Sequence, residues 1–487
     1  MTMAFDYIPA ALRYPGVYIE IDSSQASLGA DIPAALLVGQ KLSAGTAPAG
    51  EVVRITSVFD AQQKFGAGSM LAQMAARYRA VDEFFDVYVL PYADNGAGVA
   101  ATGTITVTAV ATVDGTLSLY VAGKLISVGI TSAMTTAQIA TAIAAAFTDL
   151  DIPVTAAAVA SVVTLTCRHK GTCGNNIDIR LNLYGEIKPT GLGLTLAAMT
   201  GGTGDPAPGN LPVLIGSNRR YRYVALGIND AATLAAWHTE SQRRYQPPVQ
   251  AGFRAFTTHR GDAAAAMAFG ETKNYEHICD LSLEINPTTT WEGAAMLAAA
   301  AGPQIYNNPV ESLEGVLLTG MIGVTYHDDF PTANSLLFKG MSVMEVGTDG
   351  SCYIKSLITM HQYKPDGSED DAYLDINAPE VMDRIRETQI AAAKKAFTGT
   401  AAAETNEGYK PGLRITTKDS VTSLLLSHYQ NVLVREYGWC QKYAYYKANL
   451  FVEQDPDNPS RFNFRDTPVP LSPFKILAGR AQFVKRV

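Results

Sequence analysis

Tyr223-Val224-Ala225-Leu226-Gly227-Ile228-Asn229-Asp230 decides how the chain is read. Residues 223–228 are nearly all apolar and too few for a helix, which suits a short buried strand. Asp230 then supplies a side chain suited to capping a helix by accepting its first orphan backbone N–H groups. The unit returns twice. A strand over 253–257 leads into a helix near 262–269, and a strand over 278–285 into a helix opened by Thr289-x-x-Glu292, a capping-box spacing. Strands alternating with helices predict a mostly parallel sheet covered on its faces. Upstream, 35–38 and 87–90 read as further short strands, with an amphipathic helix over 70–85 between them.

Two Gly/Pro-rich stretches, 93–98 and 201–209, read as linkers. Between them the composition shifts to Thr, Val, Ala and Gly. Residues 104–108, 117–121 and 162–166 alternate with period two, and one Ala/Ile-rich helix covers 136–147. The expected fold class is therefore α/β and α+β multidomain. A central α/β domain is split into 25–95 and 205–335 by an inserted β-rich domain at 98–203. A carboxy-terminal α+β domain follows at 336–471, with a strand over 353–361 and helices over 379–397 and 418–437. Extended arms occupy 1–24 and 472–487.

Composition narrows the function. The 487 residues carry 38 Lys+Arg against 46 Asp+Glu, a net charge of −8, which leaves no cationic excess for a nucleic-acid backbone. Apolar residues reach 47%, which excludes wholesale disorder. Charged residues are only 17%, against about 25% in an average globular protein. Such a chain either exposes a bland surface or buries much of it against partners. Met1 to Asp6 show neither a basic region nor an apolar run, so no secretory signal is expected. The Ala-rich runs 263–269 and 294–301 fall short of the ~18–20 residues of a membrane span. Five scattered cysteines, an odd number, make no disulfide framework.

The two ends are the most informative segments. In Tyr14-Pro15-Gly16-Val17-Tyr18-Ile19-Glu20-Ile21-Asp22, alternation puts Val17, Ile19 and Ile21 on one strand face and Tyr18, Glu20 and Asp22 on the other. At the far end Phe474, Ile476, Leu477, Phe483 and Val484 interleave with Lys475, Arg480, Lys485 and Arg486. Neither strand has a local partner, so each must pair with a sheet edge of its own domain or of another chain. Glu20, Asp22 and 366–371 are acidic partners for the basic end.

Motifs for chemistry are weak. His327-Asp328-Asp329 reads as a solvated turn rather than a metal cluster. Cys167, His169 and Cys173 lack a fourth zinc ligand, which leaves a buried thiol and a surface histidine. Phe65-Gly66-Ala67-Gly68-Ser69 precedes a helix but lacks the phosphate-loop patterns, so it reads as a tight turn with Ser69 as cap. In Arg260-Gly261-Asp262 the aspartate reads as a helix cap, and 366–371 as a hairpin tip. An enzyme would need convergent polar groups at the strand ends, where Asn229, Asp230, Thr257, Thr258 and His259 form no recognisable triad. No catalytic residue, cofactor or metal is expected.

The order of several segments resembles tail sheath proteins of contractile-tailed phages, closest to the Mu-like branch. The resemblance rests on Tyr14-Pro15-Gly16-Val17-Tyr18-Ile19-Glu20, on the turn-helix from Phe65 to Ala72, and on Lys170-Gly171-Thr172-Cys173-Gly174-Asn175-Asn176-Ile177. It continues through 350–363, Tyr373-Leu374-Asp375-Ile376, the helix from Pro379 and the segment 411–437. Cys173 departs from it, since a small residue such as Ala is expected there. The resemblance implies a structural, non-enzymatic subunit of the virion, assembled in the host cytoplasm. Six-fold rings of subunits stack around a tail tube, with baseplate and tail terminator proteins as further partners and neither nucleic acid nor membrane insertion. On triggering, the sheath contracts and drives the tube through the host envelope. It also implies that the arms, through Val17, Tyr18, Ile19, Glu20, Ile21, Phe474, Ile476, Phe483 and Lys485, add strands to neighbouring subunits. The alternatives are an α/β-fold enzyme, or a tail adhesin whose insertion is the binding module.

Overall fold

The computed structural model describes residues 33–148, 151–324, 330–405, 412–483 and 485. A six-stranded sheet forms the centre. Its spatial order is Ile278–Glu284, Arg254–Arg260, Tyr223–Leu226, Ala34–Gln40, Asp86–Tyr92 and Val53–Ile55. The first five strands run parallel and the short Val53–Ile55 runs antiparallel at the edge. The middle strands Tyr223–Leu226 and Ala34–Gln40 are buried almost throughout, which is why they read as continuous apolar runs rather than as alternation.

Two helices cover one side together. Met70–Arg79 lies against Thr290–Asn307, with Trp291 Nε1 donating to Gln73 Oε1 at 2.9 Å and Arg77 Nε to Glu292 at 3.0 Å. The alanine run 294–301 lies inside Thr290–Asn307, and its small side chains let the helix approach the sheet closely. Among the described residues no helix is long and apolar enough to cross a membrane. The first helix stops at Arg79 rather than running to Phe85. Asp82 draws the chain off axis, accepting from Phe84 N at 2.9 Å and from Tyr78 Oη at 3.0 Å.

Residues 100–200 form two small antiparallel sheets and the helix Thr136–Ala145, opened by a full capping box at Thr135 and Gln138. The glycine-rich stretches at either end are not loose linkers. Val99 N donates to Thr203 O at 2.8 Å and Thr203 N to Val99 O at 3.1 Å, so entry and exit run as one bonded stem. A Cβ at Gly98 would sit 2.6 Å from the carbonyl oxygen of Gly204, which is why the stem needs glycine.

The hairpin Val343–Val346 with Cys352–Ser356 packs on the central core, as does the chain up to Ile376. A separate core begins only with Val381. Ser342 N donating to Asp280 O at 2.8 Å ties the hairpin to the central sheet. The strand expected over 353–361 ends at Ser356, because beyond it the chain is held by bonds outside a ladder, such as Thr359 N to Leu374 O at 2.8 Å. Helix Asn377–Phe397 follows directly on Ile376 of the central core and gives Val381 and Ile385 to the second. The helix starting at Lys418 keeps α geometry only to Ser427. It then widens over His428–Glu436, where Tyr437 N reaches back five residues to Val432 O at 2.9 Å.

Candidate assembly surface

The last core is built on aromatic stacking. Tyr429 and Tyr446 lie face to face with ring centroids 3.7 Å apart, beside Val381, Ile385 and Leu433. Tyr429 Oη donates to Gln441 O at 2.6 Å and accepts from Val469 N at 3.1 Å. Gln441 N donates to Val469 O at 3.0 Å and Leu471 N to Trp439 O at 2.8 Å. The chain leading to the carboxy-terminal arm is thus anchored up to Leu471.

Beyond Leu471 the anchoring stops. Among the described residues no backbone hydrogen bond holds Ser472 to Phe483. Phe474 is 71% exposed, Ile476 82%, Leu477 87% and Phe483 90%, and Lys485 is exposed as well. Among the described residues the arm expected to be a docked strand has no strand partner. An ion pair joins its Lys475 to Asp375, four residues past the acidic run at 366–371. Val17, Tyr18, Ile19, Glu20 and Ile21 lie outside the described residues, as does His327-Asp328-Asp329.

A sheet edge stands near this anchored segment. Phe451–Gln454 and Phe462–Arg465 form a two-stranded antiparallel hairpin that no third strand extends among the described residues. Val452 fastens it to Val421 and Leu425, while Phe451 and Phe464 remain about half exposed. The open edges of such a hairpin present unpaired backbone N–H and C=O groups beside exposed aromatics.

Residues singled out for chemistry serve the scaffold. Asp230 caps its helix by accepting from Ala232 N at 3.0 Å, and Asn229 Nδ2 donates to Thr258 O at 2.9 Å. Thr258 Oγ1 donates to Thr290 O at 2.6 Å. His259 stacks on Phe269 at 4.3 Å, and burial, helped by Lys273, lowers its pKa to about 4. Arg260 donates to Asp178 at 2.5 Å and Asp262 caps Ala265 N at 2.8 Å, which occupies the Arg-Gly-Asp triplet. The acidic run closes a turn, with Lys364 N donating to Ser368 O at 2.8 Å.

One expectation is corrected. His169 is buried rather than on the surface. Its Nε2 accepts from Met70 N at 2.9 Å, the first residue of helix Met70–Arg79, so the proton sits on Nδ1 and is shared with Asp94 Oδ1 at 2.9 Å. Beside it Gly68 N donates to Asp151 Oδ1 at 2.6 Å. The turn before the helix therefore does hold a carboxylate, but one from the insertion itself. Replacing His169 with alanine strands a buried N–H, which costs about 1–3 kcal/mol. The expected result is a lower melting temperature and faster amide exchange at Met70; unchanged exchange there would show that the bond does not hold the insertion down.

No family model matches the chain. The chain is 29% identical over 490 residues to the Mu-like prophage FluMu tail sheath protein of Haemophilus influenzae, covering 99% of this chain and 100% of that protein. Among solved structures, a chain of the anti-feeding prophage baseplate, six-fold symmetrised, aligns with TM-score 0.51 and 13% identity, over 98% of this chain and 100% of that one. A chain of the anti-feeding prophage helical sheath in its contracted state aligns with TM-score 0.50 and 14% identity, again over 98% and 100%. The chain is thus similar from end to end to a tail sheath protein of a Mu-like prophage, and it shares its fold over nearly its whole length with the anti-feeding prophage chains.

Proposed function

We propose that copies of this chain polymerise as stacked six-fold rings around a tail tube and contract to drive the tube through a host envelope. The role is structural rather than catalytic, and its place is the tail of the virion after assembly in the host cytoplasm. The partners are neighbouring copies, the tube protein, the baseplate and the tail terminator, with no part for nucleic acid or for insertion into a membrane. The full-length relative is itself a tail sheath protein, and the anti-feeding prophage sheath is helical and contracts. The observation that carries the reading is the carboxy-terminal arm, whose apolar side chains Phe474, Ile476, Leu477 and Phe483 stand exposed among the described residues.

In this reading the arms 1–24 and 472–487 carry assembly, each adding a strand to the sheet edge of a neighbour. The open hairpin Phe451–Gln454 with Phe462–Arg465 supplies such an edge. The insertion 98–203 is a peripheral domain on a split body, 25–95 and 205–335, a division supported by the bonded stem between Val99 and Thr203. Electron microscopy of the purified protein tests the reading. Hollow tubes of regular pitch are expected; a small oligomer that never elongates points instead to an enzyme or an adhesin.

A further inference from the structure

Residues 170–176 clasp the insertion to the central sheet and to the stem. Gln40, at the end of strand Ala34–Gln40, donates through Nε2 to Lys170 O at 2.8 Å and to Asp94 Oδ1 at 2.9 Å. Thr172 gives its backbone N–H and its hydroxyl to Asp205, each at 2.8 Å. Asn175 and Gly202 exchange two hydrogen bonds, at 3.0 and 2.8 Å. Two cysteines sit inside this clasp. Cys167 belongs to the strand Val162–Lys170 and Cys173 to the turn Thr172–Asn176 that follows it.

Both thiols are buried and free, and they face each other. A Cβ at Gly174, the residue after Cys173, would fall 2.9 Å from Cys167 Sγ, so the turn closes directly over that sulfur. The two side chains share a hydrogen bond, and Cys173 Sγ also donates to Gln40 Oε1 at 3.3 Å. The pair is unequal. The bond to Cys173 holds the Cys167 thiol below its ordinary value, whereas that bond and burial push Cys173 well above it. One sulfur is thus the readier nucleophile and the other keeps its proton beside it. Burial pushes Cys279, Cys352 and Cys440 up, which keeps those thiols unreactive.

We infer that Cys167 and Cys173 are a modification site, at which a peroxide joins them as a disulfide that fixes the turn 172–176 to the strand beneath it. Hydrogen peroxide is small enough to reach thiols closed to larger oxidants. The Cys167 thiolate attacks one peroxide oxygen, the O–O bond breaks, and hydroxide leaves and takes up a proton as water, so Cys167 becomes a sulfenic acid. The Cys173 sulfur then gives up its proton and attacks the Cys167 sulfur. The S–S bond forms, the S–O bond breaks, and a second water leaves. In sum two thiols lose two electrons and two protons, and the peroxide is reduced to two waters. The S–H that Cys173 offers Gln40 is consumed, so the bond also alters how the insertion meets the sheet. On the sheath reading, assembly in a reducing cytoplasm keeps the pair open and release from the host lets it close. The chemistry itself does not depend on that reading.

Peptide mapping of the full-length protein after treatment with hydrogen peroxide, without reductant, tests the inference. Trypsin cuts after Arg168 and Lys170, so Cys167 and Cys173 fall on separate peptides that only a disulfide can join. The expected result is that linked pair, a mass loss of about 2 Da in the intact chain, and two of the five thiols lost to titration in denaturant, all reversed by dithiothreitol. Amide exchange over 171–177 is expected to slow in the linked protein. In a Cys173→Ala variant the sulfenic acid has no partner, and dimedone is expected to label Cys167. Peroxide that leaves the two peptides unlinked, links either to another cysteine, or carries Cys167 to a sulfinic acid with Cys173 still free would overturn the site. Unchanged exchange over 171–177 in the linked protein would overturn the fixing of the turn. The mapping uses the wild-type chain, so it decides the matter even where the variant does not fold.

Discussion

Replacing Asp383 with alanine is expected to destabilise the fold by about 3–5 kcal/mol. Asp383 and Arg254 are both essentially fully buried, and Arg254 donates to it at 2.7 Å while Arg386 pairs with its other oxygen. Removing the carboxylate leaves Arg220, Arg222, Arg254, Arg384 and Arg386 facing Glu380 and Glu387. Neither arginine can shed its proton, so the desolvated charge has no exit except local unfolding. The expected signature is a lower urea midpoint with early exchange of amides in Asn377–Phe397. Replacing Arg254 by methionine in the same protein should recover much of the loss, since removing both charges costs far less than removing one. An exposed pair makes the contrast. Lys355 and Glu345 lie 3.1 Å apart with about half of each side chain in water, and breaking them should cost ~0–1 kcal/mol. A similar small loss for Asp383→Ala would mean that water enters the junction and screens it.

The central sheet was legible because its signals are local. The repeat from Tyr223 to Glu284, with Asp230, Asp262 and Thr289 each beginning a helix, needs no partner beyond the next few residues. So does Ser69, which caps Ala72 N at 3.1 Å. What stayed hidden depends on residues far apart in the chain. His169 looks like a surface residue until Met70, ninety-nine positions away, is placed beside it. The glycine-rich stretches read as linkers because nothing local shows that Val99 and Thr203 bond to each other. The hairpin at Val343 belongs to the central core through Asp280, a contact that composition cannot announce. Arg220, Arg222 and Arg254 carry no pattern of their own, so the charge surplus at the helix junction was invisible before the fold brought Glu380, Asp383 and Glu387 to them. The carboxy-terminal arm shows the reverse case. Its apolar–basic alternation was plain, yet among the described residues no strand pairs with it.

Exchanging Ile476 and Leu477 for aspartate should leave the folded monomer untouched and abolish tube formation. The two effects separate because the side chains are 82% and 87% exposed in the monomer, so a charge there displaces no internal contact. Surface changes of this kind stay within about 0.5 kcal/mol of wild-type stability. In an assembled sheath the same positions would lie in a strand added to a neighbouring sheet. There, each apolar side chain buried contributes about 1.5–3 kcal/mol, and two buried carboxylates without partners would cost more than that gain. The loss recurs at every subunit interface of a ring and compounds along the tube. Charge alone should act more weakly. Lys475 pairs with Asp375 at the surface, with side chains 30% and 27% exposed, so Lys475→Ala is expected to slow assembly at low salt and to matter little at high salt. Thermal melting of the monomer, with turbidity and negative-stain imaging across a salt series, reads all three. Normal tubes from the aspartate variant would mean that the arm does not dock through Ile476 and Leu477, and the strand-exchange model would fail for this end of the chain.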